Sequence, residues 1–270
     1  MSSSAAPTRT PAVRRLAAVA SVLFVAVFVV AAVAAVAING DAAPTSGPVA
    51  PGGGAAQPTP GKAASVDDEI ASRPMPQFPV AAAQPHQLST TANGDPLLIP
   101  TATATTGAVP TGFPRTAEGA LAQLKALNET GMTGMDPTTY AAAYTAIAAP
   151  GAPDPATTTL SKIAAGSRLK GGLPATGPVP SLSASYQVSA GLIKGSSEDG
   201  SFVVPCTLGI LSVVTTTSSV RVGIGDCQAM RWSDGRWQIS PSAQPVLAPA
   251  TWPGTAEAQR AGYVAVIPYA

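Results

Sequence analysis

Four patterns of hydrophobic and polar positions follow one another along this chain, and each predicts a different kind of structure. Residues 16–38 read LAAVASVLFVAVFVVAAVAAVAI, with no charge, no proline and Ser21 as the one strongly polar side chain. As a helix rising ~1.5 Å per residue, such a run measures roughly 35 Å and crosses a hydrocarbon core of ~30 Å with some tilt. Arg9, Arg14 and Arg15 precede it, which orients the N-terminus to the cytoplasm and everything beyond Asn39 to the outside. A cleaved signal peptide is the alternative, since Ala35-Val36-Ala37 offers a small-residue cleavage site. Signal-peptide apolar regions run about 7–15 residues, so the length favours an uncleaved anchor. Either way the rest of the chain is delivered across the membrane.

From residue 39 to 110 no period survives. The stretch APTSGPVAPGGGAAQPTPGKAAS leads into a run studded with Pro74, Pro76, Pro79, Pro85, Pro96, Pro100 and Pro110. Proline removes backbone donors and glycine raises the cost of ordering, so the expectation is a linker without regular elements, whose later part, Pro96-Leu97-Leu98-Ile99-Pro100, has apolar residues to strap across the domain surface. About 60 such residues have a root-mean-square span of roughly 40–45 Å, enough to hold a domain off a membrane. The expected organisation is a cytoplasmic tail (1–15), a transmembrane helix (16–38), a disordered linker (39–110) and an extracytoplasmic α+β domain (111–270).

Between residues 111 and 170 apolar positions recur at helical spacing. Thr116 caps a helix with Ala117, Leu121, Leu124 and Leu127 on one face and Gly131 as its stop. Asp136 before Pro137 starts a second, with a stripe of Tyr140, Ala143, Tyr144 and Ile147. Asp154-Pro155 repeats the signal for a third carrying Leu160, Ile163 and Ala164. After the glycines and prolines of 171–180 the period drops to two. Tyr186, Val188, Ala190 and Leu192 alternate with Ser185, Gln187 and Ser189, and Phe202, Val204, Cys206, Leu208 and Ile210 share a face of the next strand. Residues 215–219 turn into a strand over 220–232. Ser233-Asp234-Gly235-Arg236 is a hairpin signal that sets Trp232 opposite Trp237. The fold class is therefore α+β: helices packed on a curved antiparallel sheet of at least four strands. Residues 255–262 read as a short terminal helix, and Trp252 before it as a core plug.

A turn centred between Thr216 and Thr217 places Cys206 opposite Cys227, within disulfide reach. A bridge closing a loop of ~20 residues stabilises by roughly 3 kcal/mol, and disulfides persist outside the cytoplasm. This register turns Val220, Val222 and Ile224 away from the face of Phe202, Val204 and Leu208. A bulge at Gly223 or Gly225, or an odd turn length, is the expected repair.

Composition narrows the function classes. The 15 basic and 14 acidic residues form no basic cluster, which argues against direct nucleic-acid binding. The single histidine, His86, lies in the Pro-rich stretch, so no His-based triad or metal-ligand cluster is expected, and no phosphate-binding glycine pattern follows a strand. No cofactor is expected. Asp226 and Asp234 are the candidate carboxylates; the turn accounts for Asp234, and Asp226 beside Gly225 reads as serving a bulge, with a carboxylate-only general base as the alternative. Asn128-Glu129-Thr130 matches a glycosylation triplet but falls on a helix.

Three segments, GFPRTAEGALAQL at 112–124, CQAMRWSDGRWQISP at 227–241 and APATWPGTAEAQRAGY at 248–263, resemble uncharacterised actinobacterial single-pass membrane proteins of integrative conjugative elements. Helices followed by a curved sheet ending in W-x-D-G-x-W are similar to nuclear-transport-factor-2-like (cystatin-like) domains. On a bitopic anchor, that fold resembles extracytoplasmic scaffold subunits of conjugation and type IV secretion channels, including the TcpC family. The resemblance implies a non-enzymatic assembly protein at the cytoplasmic membrane, partnered by other envelope proteins or further copies of itself. A ligand-binding domain using the cone between helices and sheet is the alternative, and an enzyme of cyclase or dehydratase type the third.

Overall fold

The structure is a computed structural model that describes residues 65–91, 93–242 and 244–269, so the expected transmembrane run at 16–38 lies outside the described residues. Among the described residues no helix is long and apolar enough to cross a membrane.

Regular structure begins earlier than the proline content suggests. Helix α1 (Val66–Ser72) opens with a reciprocal cap in which Ser65 Oγ accepts the Asp68 amide and an Asp68 carboxylate oxygen takes the Ser65 amide. A 3-10 turn at Val80–Ala83, strand β1 (Leu97–Pro100) and a hairpin of β2 (Ala104–Thr106) and β3 (Val109–Thr111) follow. The expectation of a featureless linker therefore fails over 65–110. Some of its prolines flank elements, with Pro79 preceding the 3-10 turn and Pro100 closing β1, while Pro110 lies inside β3; Ile70, Ala71, Ala83 and Ile99 are buried.

The helices start where local chemistry starts them. Thr116 Oγ1 accepts the Gly119 amide at the head of α2 (Ala117–Gly131), and Asp136 accepts the Thr138 amide at the head of α3 (Pro137–Ile147). The buried residues of α3 are Tyr140, Ala143, Tyr144 and Ile147. The third start is displaced. Asp154 caps only a 3-10 turn (Pro155–Thr157), and Thr158 caps α4 (Thr159–Lys170). Two cap residues four apart compete there, and the second is followed by the apolar run.

The remaining elements are β4 (Leu182–Ser196), β5 (Phe202–Thr215), β6 (Ser219–Cys227), β7 (Met230–Ser233), β8 (Arg236–Ile239), α5 (Ala256–Arg260) and β9 (Val264–Tyr269). Seven strands form one strongly curled sheet in the order β1-β9-β4-β5-β7-β8, with β6 also on β5. The sheet is mixed rather than purely antiparallel, because β1 runs parallel to β9. That pair joins distant ends of the domain, so no hairpin constrains its direction.

β6 and β7 hold one register against β5, from Val214↔Ser219 to Phe202↔Arg231. The strand expected over 220–232 is thus a single line with a gap in its ladder. Pro205 falls opposite the gap and has no N–H to give, although its carbonyl takes the Gln228 amide at 3.3 Å. No bulge repairs this register, because none is needed: β5 is buried on both faces from Phe202 to Gly209. Phe202, Val204, Cys206 and Leu208 join a cluster with Ile70, Ala71 and Tyr263. Val203, Leu211 and Val213 join Val222, Ile224 and the helices α2–α4 on the other side. The bulges lie in β4 instead, at 188/190 and 193/195. The first lets Val188 face the helices while Ala190 faces the opposite cluster.

Candidate functional site

The side chains singled out from the sequence fall in two regions of the sheet and, for Trp252, in the segment before α5. Cys206 and Cys227 form a disulfide with Cα atoms 4.1 Å apart, covered by Met75, whose Sδ lies 3.8 Å from Cys227 Sγ. Trp232 and Trp237 stand across from each other in the β7–β8 hairpin, edge to face at 5.4 Å. Asp234 and Gly235 make the turn, both with positive φ (51° and 72°). Trp237 Nε1 donates to the Pro114 carbonyl at 2.8 Å, tying the hairpin to the approach of α2. Trp252 is buried beneath the Arg221 guanidinium, 5.4 Å from its ring, and its backbone N–H donates to Ala82.

The interior between helices and sheet holds a polar cluster centred on Asp226. The carboxylate is 1% exposed and opposes Thr207 in the β5–β6 ladder. From α2, Asn128 Nδ2 donates to Asp226 Oδ2 and to Thr207 Oγ1, each at 3.0 Å. Gln228 Nε2 reaches both carboxylate oxygens at 3.2 and 3.3 Å. Burial pushes the Asp226 pKa up to about 6, against the two amide donors that favour its charge. Tyr140, Tyr144 and Tyr186 are raised as well, by burial first and then by the Asp226 charge. Tyr186 Oη donates to the Ile224 carbonyl at 2.7 Å. Asn128 Oδ1, Gln228 Oε1 and the Tyr140 and Tyr144 hydroxyls have no hydrogen-bond partner; Tyr140 has the Thr158 hydroxyl as a neighbour, outside bonding geometry. Asn128 is fully buried, so the glycosylation triplet is inaccessible.

Arg168 is the buried cation, at 1% exposed. It is spent on three carbonyls, Met135, Gly134 and Pro174, which it clamps at 2.7, 3.2 and 3.0 Å. Among the described residues no group of His, Cys, Asp and Glu has the makings of a metal site. The tyrosines, Leu121, Leu124 and Trp237 belong to one contiguous apolar cluster around the Asp226 group. A cavity of about 30 Å³ at the β6 edge, between Ile163, Ile224 and Phe78, is the size of a single water.

Sequence reasoning passed over the Asp226 group by reading the residue as a bulge companion. The usable signal was the cysteine register itself. It places Asp226 inside a strand opposite Thr207, one residue from a cysteine that faces the other way. Compared with protein-family models, curated proteins and solved structures, the chain matches none.

Proposed function

We propose that this chain is a membrane-tethered extracytoplasmic assembly protein that works through contacts made by its sheet, as an accessory or scaffold component of a conjugation or secretion apparatus. The observation that carries this reading is the difference between the two ends of the sheet. The β8 end is capped: Ala148 bridges Ile239, and the Ala149 amide donates to the Ile239 carbonyl at 3.0 Å. The β1 end has no further strand among the described residues. There Leu98 faces Ile267 in register, with Tyr269 two residues on, and these side chains are 54%, 46% and 48% exposed. An unpaired edge with an apolar stripe is where an extended, apolar segment of another envelope protein adds a strand.

The packed cone supports surface contact over interior chemistry, and the disulfide fits an oxidising compartment. Helices preceding a curled sheet agree with a nuclear-transport-factor-2-like arrangement, and the apolar run at 16–38 supplies the tether.

A photo-cross-linking residue at position 98 or 267, in the cells that make the protein, tests this. The expected outcome is adducts of discrete mass with membrane-fraction proteins, absent when the cross-linker sits at exposed Leu169 on α4. Leu98→Asp with Ile267→Asp removes adducts formed from position 269 while leaving the melting temperature unchanged. Equal adducts from position 169, or recovery of the chain in the cytosol, overturns the reading.

A further inference from the structure

On the side of the sheet away from the Asp226 group, a cavity of about 430 Å³ opens between two segments far apart in sequence. One wall is the approach to β1, from Asn93 to Pro96. The other runs from Pro253 through α5 to Tyr263, and Ser189, Ala190, Val264 and Ala265 form the floor. We propose that this cavity binds a small uncharged molecule, an apolar or aromatic body carrying one hydrogen-bonding group that meets Ser189. The inference is independent of the assembly role.

The walls are braced by hydrogen bonds between the two segments. Ser89 Oγ donates to Gln259 Oε1 at 2.9 Å, Gln259 Nε2 to the Thr91 carbonyl at 2.7 Å, and Asn93 Nδ2 to the Tyr263 carbonyl at 2.9 Å. The Ser89 amide adds a backbone bond to Gly254 at 2.8 Å. A site held open in this way spends little of its binding energy on ordering. Gly94 and Gly254 line the walls with φ of 71° and 80°, a conformation that side chains rarely adopt, so the lining there is bare backbone.

The lining chemistry selects the ligand. It contains no lysine, arginine, histidine, aspartate or glutamate. Its one ionisable side chain, Tyr263, has its hydroxyl committed to the Pro249 carbonyl at 3.1 Å, and burial holds its pKa far up. The charged residues next to the lining in sequence, Asp95, Glu257 and Arg260, are outside it, and Glu257 is paired with His86 and Arg260. A charged ligand would lose water and gain no counter-charge, which is costly. The β4 bulge leaves Ser189 out of the ladder; it is exposed, and its hydroxyl has no hydrogen-bond partner among the described residues, so it is free to meet a ligand beside Ala190, Val264 and Ala265. The volume lies within the range of small-molecule sites.

The test is a shift titration of the isotope-labelled full chain with indole, repeated with indole-3-acetate and tryptamine, which carry the same ring with a negative or a positive charge. Indole is expected to give saturable shifts at residues 93–96, 189–190 and 253–265 with Kd on the order of 1 mM, and both charged probes to bind about tenfold more weakly. Ala265→Trp, at an exposed strand position, fills the cavity and abolishes saturation. Ser189→Ala weakens indole about fivefold without lowering the melting temperature. The proposal is overturned by indole failing to saturate below about 20 mM, by charged probes binding as well, or by both variants binding like the parent chain.

Discussion

Asp226 is a carboxylate held by amides instead of a cation, and that choice has a pH signature. Its folded pKa of about 6 stands above the ordinary 3.8, so the folded chain holds this proton more tightly than the unfolded chain. The contribution to stability is complete below the ordinary value and is lost as pH rises through about 6. Between pH 4 and 7 the loss amounts to about 2 kcal/mol. Urea denaturation across that range is expected to show stability falling with pH, and Asp226→Asn to flatten most of the slope. His86 adds a slope of the same sign, since its pKa is raised by the Gln84 carbonyl and by Glu257, but it is present in both proteins and cancels in the comparison. The unpartnered oxygens belong to the same account. A protonated Asp226, or an asparagine in its place, has a hydrogen to give, and a half-turn of the Gln228 amide brings the idle Oε1 into position to accept it. None of this was visible in the sequence, where an aspartate beside a glycine reads as turn chemistry. What buries it is β5 and α2 arriving from elsewhere in the chain.

At the scale of elements, the parts set by neighbours in sequence were legible and the parts set by distant partners were not. Thr116 and Asp136 announce their helices because a cap acts within three residues, and the four-residue stripe of α3 is the face it buries. The short strands β1 and β9, LLIP and VAVIPY, carry prolines and little periodicity; they are strands because they pair with each other and because β9 pairs with β4. Likewise β5 reads as a half-exposed strand, yet both its faces are covered from Phe202 to Gly209. Tyr186 shows how such coverage is fitted. Its ring crosses β5 above Gly209 to reach the Ile224 carbonyl on β6, and a Cβ on Gly209 would lie 2.6 Å from the ring. Gly209→Ala is therefore expected to destabilise by about 2–3 kcal/mol, and Tyr186→Phe by about 1 kcal/mol, in chemical denaturation. Combining them should cost less than the sum, because a phenyl ring no longer held by the Ile224 carbonyl is free to shift from the new Cβ.

For the whole molecule, two apolar clusters share β5, and the disulfide ties that strand to β6 within the cluster on the α1 side. Replacing both cysteines by alanine is expected to lower stability by about 3 kcal/mol. Reductant added to the parent chain after unfolding should bring its urea midpoint to that of the variant, and should leave the variant unmoved. The cysteine pairing was legible because it needs only a turn centre and a count. The boundary of the domain was not, since residues 65–100 earn their place by covering a surface that the sequence does not display. The position of β9 between β1 and β4 has one more result. Leu97 pairs with Val266, so during synthesis the first described sheet strand waits, unpartnered, until nearly the whole domain has been made. Closure of the curl is then a late event, and a chaperone that attends synthesis meets β1 before β9 does.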